Sequence, residues 1–450
     1  MQVSLIVLAA GMGTRMNSDV PKVLHHMAAA PLLHHALAAS RSLEPSRIIV
    51  VAGHEADHVK KAAQAFDDTI ETVIQEPQLG TAHAVLTAAP LLADAAGDTV
   101  VLYGDTPFVR PQTLQAMLEA RQTNDVIVLG FESADPGRYG RLIVDADQVV
   151  RIVEYKDATD EERAVTLCNS GVICASTQTL LHLASKVGTA NAAHEFYLTD
   201  IVEIARGQGL TVGYVTCAES ETLGINTRAD LSRAEAAFQH RARVEALENG
   251  VTLTAPDTVF FALDTFIGRD AIIGPNVIFG PGVTIESGAE IKGFCHLEGC
   301  HISRGAVVGP FARLRPGAEL AEDVHVGNFV EIKNTVLGEG VKVGHLTYLG
   351  DAHVGEFTNV GAGTVTCNYD GVMKHHTEIG KRVFIGSDTM LIAPVTIGDD
   401  AMTASGSVIT RDVPAGALAF ARARQDTKPG LATLFMARLR AIKANTNKGS

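Results

Sequence analysis

Residues 267–297 read IGRDAIIGPNVIFGPGVTIESGAEIKGFCHL, and in them a large apolar side chain returns every six positions: Ile267, Ile273, Phe279, Ile285, Ile291 and Leu297. A period of six matches neither the 3.6-residue turn of a helix nor the two-residue alternation of a strand. It fits a triangular β-solenoid in which each hexapeptide forms one face, the apolar residue fills the axis, and small residues turn the corners. The register slips near Ile302 and resumes at Val308, Leu314, Leu320, Val326 and Ile332. It slips again to Leu337, Val343 and Leu349, and once more to Val354 and Val360. A last register, Ile379, Ile385, Leu391 and Ile397, follows a break at about 366–377 that reads as a loop ejected from the coil. With about three hexapeptides per coil and ~4.8 Å between strands, the run builds a prism on the order of 35 Å long.

Upstream the pattern changes. Val3 to Leu8, Arg47 to Val51, Thr99 to Leu102 and Val126 to Gly130 read as buried strands, alternating with Ala/Leu-rich helical stretches such as Pro31 to Ser42 and His83 to Ala93. That alternation predicts an α/β domain with a largely parallel sheet. Thr227 to Glu248 is rich in Ala, Arg and Glu and stops at Asn249-Gly250, which predicts a long connecting helix. The expected domains are therefore residues 1–226, a linker helix over 227–250, and the hexapeptide part with its C-terminal tail over 251–450.

At 450 residues the chain is too long for one compact core. Its net charge of -14, with no long Lys/Arg run, argues against binding duplex nucleic acid, whose backbone calls for clustered positive charge. The 6 cysteines include no C-x-x-C pair and read as reduced thiols of a cytoplasmic protein. No stretch approaches the roughly 20 apolar residues of a membrane span, and no basic leader precedes Val3, so neither membrane insertion nor export is expected.

Leu8-Ala9-Ala10-Gly11-Met12-Gly13-Thr14-Arg15-Met16 follows the first strand directly, where backbone N–H groups can meet phosphate oxygens at the sheet's C-terminal edge. The third glycine of a dinucleotide fingerprint is replaced by Met16, while Arg15 and Lys22 add two cations. L-x-x-G-x-G-T-R-M with Pro21-Lys22 resembles the signature of sugar-nucleotide nucleotidylyltransferases. Further matches follow in order: Gln75-Glu76-Pro77-Gln78-Leu79-Gly80-Thr81-Ala82, Tyr103-Gly104-Asp105-Thr106-Pro107, Gly137-Arg138-Tyr139-Gly140-Arg141, Ile152-Val153-Glu154, Asn169-Ser170-Gly171 and Gly224-Ile225-Asn226. Together with the hexapeptide half, the chain resembles the bacterial bifunctional N-acetylglucosamine-1-phosphate uridylyltransferases / glucosamine-1-phosphate N-acetyltransferases almost end to end.

The resemblance implies a Rossmann-like nucleotidyltransferase domain, a left-handed parallel β-helix, and two active sites. In the first, a sugar 1-phosphate attacks UTP and pyrophosphate leaves, so positioning and charge neutralisation dominate. Asp105 and Asn226 are implied as Mg²⁺ ligands, and Arg15 and Lys22 as the catalytic cations. Leu8, Ala9, Ala10 and Gly11 would lie along the nucleotide, Gln75, Gly80 and Thr81 around the uracil, Tyr103 and Gly104 beside them, and Gly140, Glu154 and Asn169 on the amino sugar. Met12 stands where the family is often basic, which puts one phosphate contact in question.

In the second site the resemblance implies that His345, within Gly344-His345-Leu346-Thr347-Tyr348, is the general base for acetyl transfer from acetyl-CoA. Arg315, Lys333, Tyr348 and Asn359 would hold the amino sugar and its phosphate, with Lys374 in support. Asn368 and Tyr369 of the ejected loop are implied as contacts of acetyl-CoA or of the amino-sugar substrate, and Ala362, Ser387, Ser405 and Arg422 as further acetyl-CoA contacts. Related hexapeptide acyltransferases are trimers, so a homotrimer is expected. The competing reading is a single-activity nucleotidylyltransferase whose prism serves assembly or regulation alone.

Overall fold

The computed structural model describes residues 2–446, so the last four positions of the expected C-terminal domain lie outside the described residues. The chain divides into two compact units. The first runs to Glu248 and takes in Val259–Thr265 and Phe279–Pro281; the second comprises Asn249–Thr258, Phe266–Ile278 and the chain from Gly282 onward. The helix Arg228–Glu248, expected as a linker, thus belongs to the first unit.

The first unit is built on a sheet whose main path runs Val212–Cys217, Val126–Glu132, Leu167–Ser176, Asp98–Tyr103, Val3–Ala9, Arg47–Ala52, Glu71–Ile74. Every residue of Val3–Ala9 is buried, because successive side chains enter cores on opposite faces: Ile6 and Leu8 in one, Leu5 and Val7 in the other. The largely parallel sheet carries one reversal. Leu167–Ser176 runs antiparallel to both neighbours, after a hairpin, Arg141–Asp145 with Gln148–Val153, that the sequence pattern had not disclosed. The reversal matters for the site: the strand begins at the C-terminal edge of the parallel strands, where Asn169 pairs with Gly130. The first predicted helix forms over Leu32–Ser40, and His83 to Ala93 resolves into Thr81–Thr87 and a 3-10 turn, Ala89–Leu92, where Pro90 enters.

The second unit is a left-handed parallel β-helix of hexapeptides. One face is a ten-stranded parallel sheet running from Thr252–Leu253 to Leu418–Ala419. The axis is filled as the period requires: from Ile273 to Ile397 each hexapeptide residue named above is at most 2% exposed, while Ile267 at the start is half-buried. The corners depart from expectation. Small residues do not own them: Phe294, Phe311 and Phe329 stand at successive corners with φ of 62°, 58° and 56°. Their rings stack at 4.9 and 5.4 Å, so an exposed aromatic column offsets part of the left-handed backbone cost. No helix among the described residues is long and apolar enough to cross a membrane.

Candidate active sites

In the first unit a cavity of about 390 Å³ opens at the C-terminal edge of Val3–Ala9 and Asp98–Tyr103. Leu8, Ala9, Ala10, Gly11, Lys22, Gln75, Gly80, Thr81, Tyr103 and Asp105 line it, together with Val23, Gln78, Ala84 and Glu195. Gly104 follows the second strand, its N–H donating to Leu8 O at 3.0 Å. Gly13 has φ +63°, and a Cβ there would stand 2.6 Å from Lys22 Cβ, so the glycine lets the loop press against the base of the lysine.

The chemistry concentrates on one atom. Lys22 Nζ donates to the Asp105 carboxylate and, at 3.0 Å, to Asn226 Oδ1, which also accepts from Arg15 Nη2 at 2.9 Å. Arg15 and Lys22 thus share the amide oxygen of a residue 211 and 204 positions away, and Asp105 and Asn226 converge on a common cationic centre. A carboxylate and an amide oxygen aimed at one point suit Mg²⁺, which takes few protein ligands and leaves the remainder to phosphates and water. Among the described residues no group of three or more His, Cys, Asp or Glu forms a cage able to hold a metal by itself.

On one side of the cleft Gln75 is buried and its Nε2 donates to Gly80 O at 2.9 Å, with His83 Nδ1 at 3.1 Å. Gln78 Nε2 donates to Ala10 O at 2.6 Å, tying this loop to the phosphate loop. Gly140, Glu154 and Asn169 meet on the other side: Asn169 N–H donates to Gly140 O at 2.8 Å, and a Cβ on Gly140 would lie 3.5 Å from both Glu154 carboxylate oxygens. Burial, then the Asp200 and Asp157 charges, push the Glu154 carboxyl above its ordinary value, against a bond from Thr199 Oγ1 at 3.3 Å. Burial raises Asp200 to about 6, with Glu203 and Asp157 adding to it. Tyr103 is likewise pushed upward by burial, then by Glu154 and Asp105, so its phenol stays protonated. Glu154, Asp157 and Asp200 also line an adjoining cavity of about 540 Å³.

In the second unit His345 ends the strand Lys342–His345 and is exposed, pointing away from the filled axis. Its Nδ1 lies 2.6 Å from Asn328 Oδ1, its register partner on the preceding coil. An amide oxygen only accepts, so Nδ1 carries the hydrogen and the Nε2 lone pair is left outward. The same register continues upward, with Val343 beside Val360, Val360 beside Ile385 and Ile385 beside Thr403. It stacks His345, Ala362, Ser387 and Ser405 in one column. Asp388 N–H donates to Ala362 O at 2.7 Å, Gly406 N–H to Ser387 O at 2.8 Å, and Arg422 Nη1 to Ser405 O at 2.7 Å.

Round the corner from His345, Glu331 pairs with Tyr348 and Lys333 with Gly350. A Cβ on Gly350 would meet the Tyr348 hydroxyl at 2.3 Å and Asn368 Nδ2 at 2.9 Å. Arg315 Nη1 donates to Glu331 Oε1 at 2.8 Å, and the Lys374 ammonium, more than Arg315 after it, holds Lys333 below its ordinary pKa. Cations crowded this way favour an anion between them. Arg315, Lys333, Tyr348, Asn368 and Lys374 are therefore brought together. Asn359 lies apart beside Lys342, and Tyr369 is turned back, its hydroxyl donating to Gly371 O at 2.6 Å.

Several lining groups were missed from the sequence. Gln78 lies within Gln75–Ala82 without a role implied for it, and Glu195, like Thr199 beside Glu154, lies in a stretch without a recognisable pattern. Asn328 could have been found by stepping one coil back from His345.

Residues 5–185 match the family model described as the MobA-like NTP transferase domain, and 264–299 and 376–411 match the bacterial transferase hexapeptide (six repeats). Over 448 residues the chain is 73% identical to a bifunctional protein GlmU of Cereibacter sphaeroides (strain ATCC 17025 / ATH 2.4.3), covering 100% of this chain and 99% of that protein. A protein of the same name from Paracoccus denitrificans is 64% identical over 98% of this chain and 99% of its own length. One from Ruegeria sp. (strain TM1040) is 62% identical over the full length of both.

Proposed function

The chain belongs to the family of the bifunctional GlmU proteins, and on that premise we propose that it makes UDP-N-acetylglucosamine for cell-envelope synthesis through two separate sites. The second unit transfers acetyl from acetyl-CoA to glucosamine 1-phosphate; the first joins the N-acetylated product to UTP and releases pyrophosphate. The observation that carries the reading is the convergence of Lys22 Nζ, Asp105 and Asn226, built from three distant segments beside a cleft of about 390 Å³.

For uridylyl transfer, the phosphate oxygen of the sugar attacks the α-phosphorus of UTP. Lys22 and Arg15 neutralise charge on the phosphates, and Asp105 fixes the Lys22 ammonium so that little reorganisation is needed as the bond breaks. Asp105 and Asn226 would hold Mg²⁺, which supplies further neutralisation of phosphate charge when bound. Gln75 offers the uracil edge an amide, and Gly140, Glu154 and Asn169 form the amino-sugar wall.

For acetyl transfer, the amine must lose a proton as its nitrogen attacks the thioester. His345 Nε2 accepts that proton, since Asn328 fixes the Nδ1–H tautomer. Arg315, Lys333 and Lys374 take the sugar phosphate, and the column from Ala362 to Arg422 takes the CoA chain. We place the working protein in the cytoplasm as a homotrimer, in which a neighbouring copy covers each column. Purified chain, Mg²⁺, glucosamine 1-phosphate, acetyl-CoA and UTP test the reading, with CoA thiol and pyrophosphate followed separately and mass measured by sedimentation. Pyrophosphate release from N-acetylglucosamine 1-phosphate without any CoA thiol from glucosamine 1-phosphate would leave the single-activity reading standing.

A further inference from the structure

The long helix Arg228–Glu248 starts with a reciprocal cap. Thr227 Oγ1 accepts from Asp230 N–H at 3.1 Å, while Asp230 Oδ2 accepts from Thr227 N–H at 2.8 Å and from Asn226 N–H at 3.1 Å. The cap fixes the backbone of Asn226 and sets Arg228 as the first helical residue. From there the Arg228 guanidinium reaches two segments more than 200 positions away. Its Nε lies 3.3 Å from Met16 O, at the end of the phosphate loop next to Arg15. Its Nη1 donates to His25 Nδ1 at 3.2 Å, on the turn that begins with Lys22.

We propose that Arg228 is a positioning residue for uridylyl transfer: one planar guanidinium holds the Arg15 loop, the Lys22 turn and the Asn226 segment in a single arrangement. The inference rests on the functional reading given above. Arg228 has no bond to Lys22, Asp105 or Asn226 side chains, so it acts through the backbone and ring it grips. Lys22, Asp105 and Asn226 come from three chain segments, and only Asp105 stands close behind a paired strand, just beyond Tyr103. The other two depend on loops, for which a rigid fork with donors pointing two ways is a suitable clamp. His25 serves as acceptor only while its ring is neutral. Its burial, followed by the Arg228 and His26 charges, lowers its pKa in agreement with that role.

The test compares the wild-type chain with Arg228→Ala and Arg228→Lys, with pyrophosphate and CoA thiol measured on the same preparations. The expected result for Arg228→Ala is a fall in uridylyl-transfer kcat of roughly 100-fold, from misplaced groups rather than lost contacts, with KM for UTP moving less than about threefold. Methylguanidinium added to that variant restores part of kcat. Arg228→Lys, which keeps the charge but cannot donate in two fixed directions, falls by roughly 10-fold. Acetyl transfer stays at the wild-type rate in both, which reports that the chain is folded. Wild-type kcat in either variant, or a loss confined to KM, overturns the proposal. If Arg228→Ala does not fold, Arg228→Lys decides by the same criteria. A wild-type chain with no uridylyl transfer refutes the functional reading instead.

Discussion

Replacing Gly13 by Ala makes a quantitative test of the phosphate loop. Two costs are separable. The residue sits at φ 63° and ψ 33°, in the left-handed region, where a Cβ costs roughly 1–2 kcal/mol of stability. That is small beside the ~5–15 kcal/mol of a typical domain, so the variant folds. The second cost falls on function. The new Cβ would stand 2.6 Å from Lys22 Cβ, whereas carbon atoms rest at about 3.5–4.0 Å, so loop and lysine must part by about 1 Å. Lys22 Nζ is bonded to Asp105 and Asn226 at the centre of the site, and a displacement of that order costs roughly 100-fold in rate. Pyrophosphate release from UTP and N-acetylglucosamine 1-phosphate gives kcat, and CoA thiol release from the same sample controls for folding. Gly13→Asn discriminates the causes, because Asn tolerates the left-handed region but brings the same Cβ. Equal losses in both variants point to the contact with Lys22, and recovery in Asn points to backbone strain. A Gly13→Ala chain within about threefold of wild-type kcat would refute the reasoning.

Asp105→Asn keeps the shape but removes the charge that fixes the Lys22 ammonium; uridylyl transfer should fall by roughly 1000-fold while acetyl transfer, followed by CoA thiol, is unchanged. The converse is expected of His345→Ala, which loses acetyl transfer by roughly 100-fold or more with pyrophosphate release intact; Asn328→Ala should show a smaller loss, because the imidazole remains but its tautomer is no longer held. Asp200 has a folded pKa of about 6, above its ordinary value, so the folded state favours the protonated form. Its favourable contribution is therefore present at low pH and lost as pH rises through about 6. Asp200→Asn should raise the melting temperature of the first unit by ~2–4 °C at pH 7.5, taking the gain as ~1 kcal/mol for a half-buried group, and by less at pH 4.5. An equal shift at both pH values would show that charge is not the cause.

The solenoid was legible because its core is one-dimensional. A residue every six positions faces the axis, so the pattern survives register slips, and Ile273 and Ile397 can be assigned the same environment without knowing what lies between them. Corners were less legible, since an exposed Phe at positive φ carries no local signal; stacking across coils, as between Phe311 and Phe329, offsets part of its cost. In the first unit the strands were readable from continuous β-branched runs, as expected where both faces are covered. The reversal of Leu167–Ser176 was not, because hydrophobic periodicity is the same for either strand direction. The same limit applies to the site. Glycines, cations and carboxylates could be picked out by type and order. That Arg15 and Lys22 would share Asn226 Oδ1 is a tertiary fact that no spacing encodes.

The two sites use opposite means of assembling a constellation. In the first unit the groups come from segments as far apart as Arg15 and Asn226, so precision must be supplied by cross-links such as Lys22 to Asp105, and one lost cross-link disturbs several groups. In the second, repetition supplies the precision. From Asn328 through His345, Ala362 and Ser387 to Ser405 the column rises four coils, about 19 Å at ~4.8 Å per strand, with Arg422 bonded at its upper end. On the proposed function, an extended thioester carrier laid along that line would have its acyl end at the imidazole and an anionic end within reach of a guanidinium. Changing a residue at one step of the column should weaken binding of the carrier without moving His345, because each step is held by its own backbone ladder. Ser405→Tyr is the sharp case. The bulk stands three coils from His345, so KM for acetyl-CoA should rise several-fold while kcat at saturation stays near wild type, and a fall in kcat alone would place the carrier elsewhere.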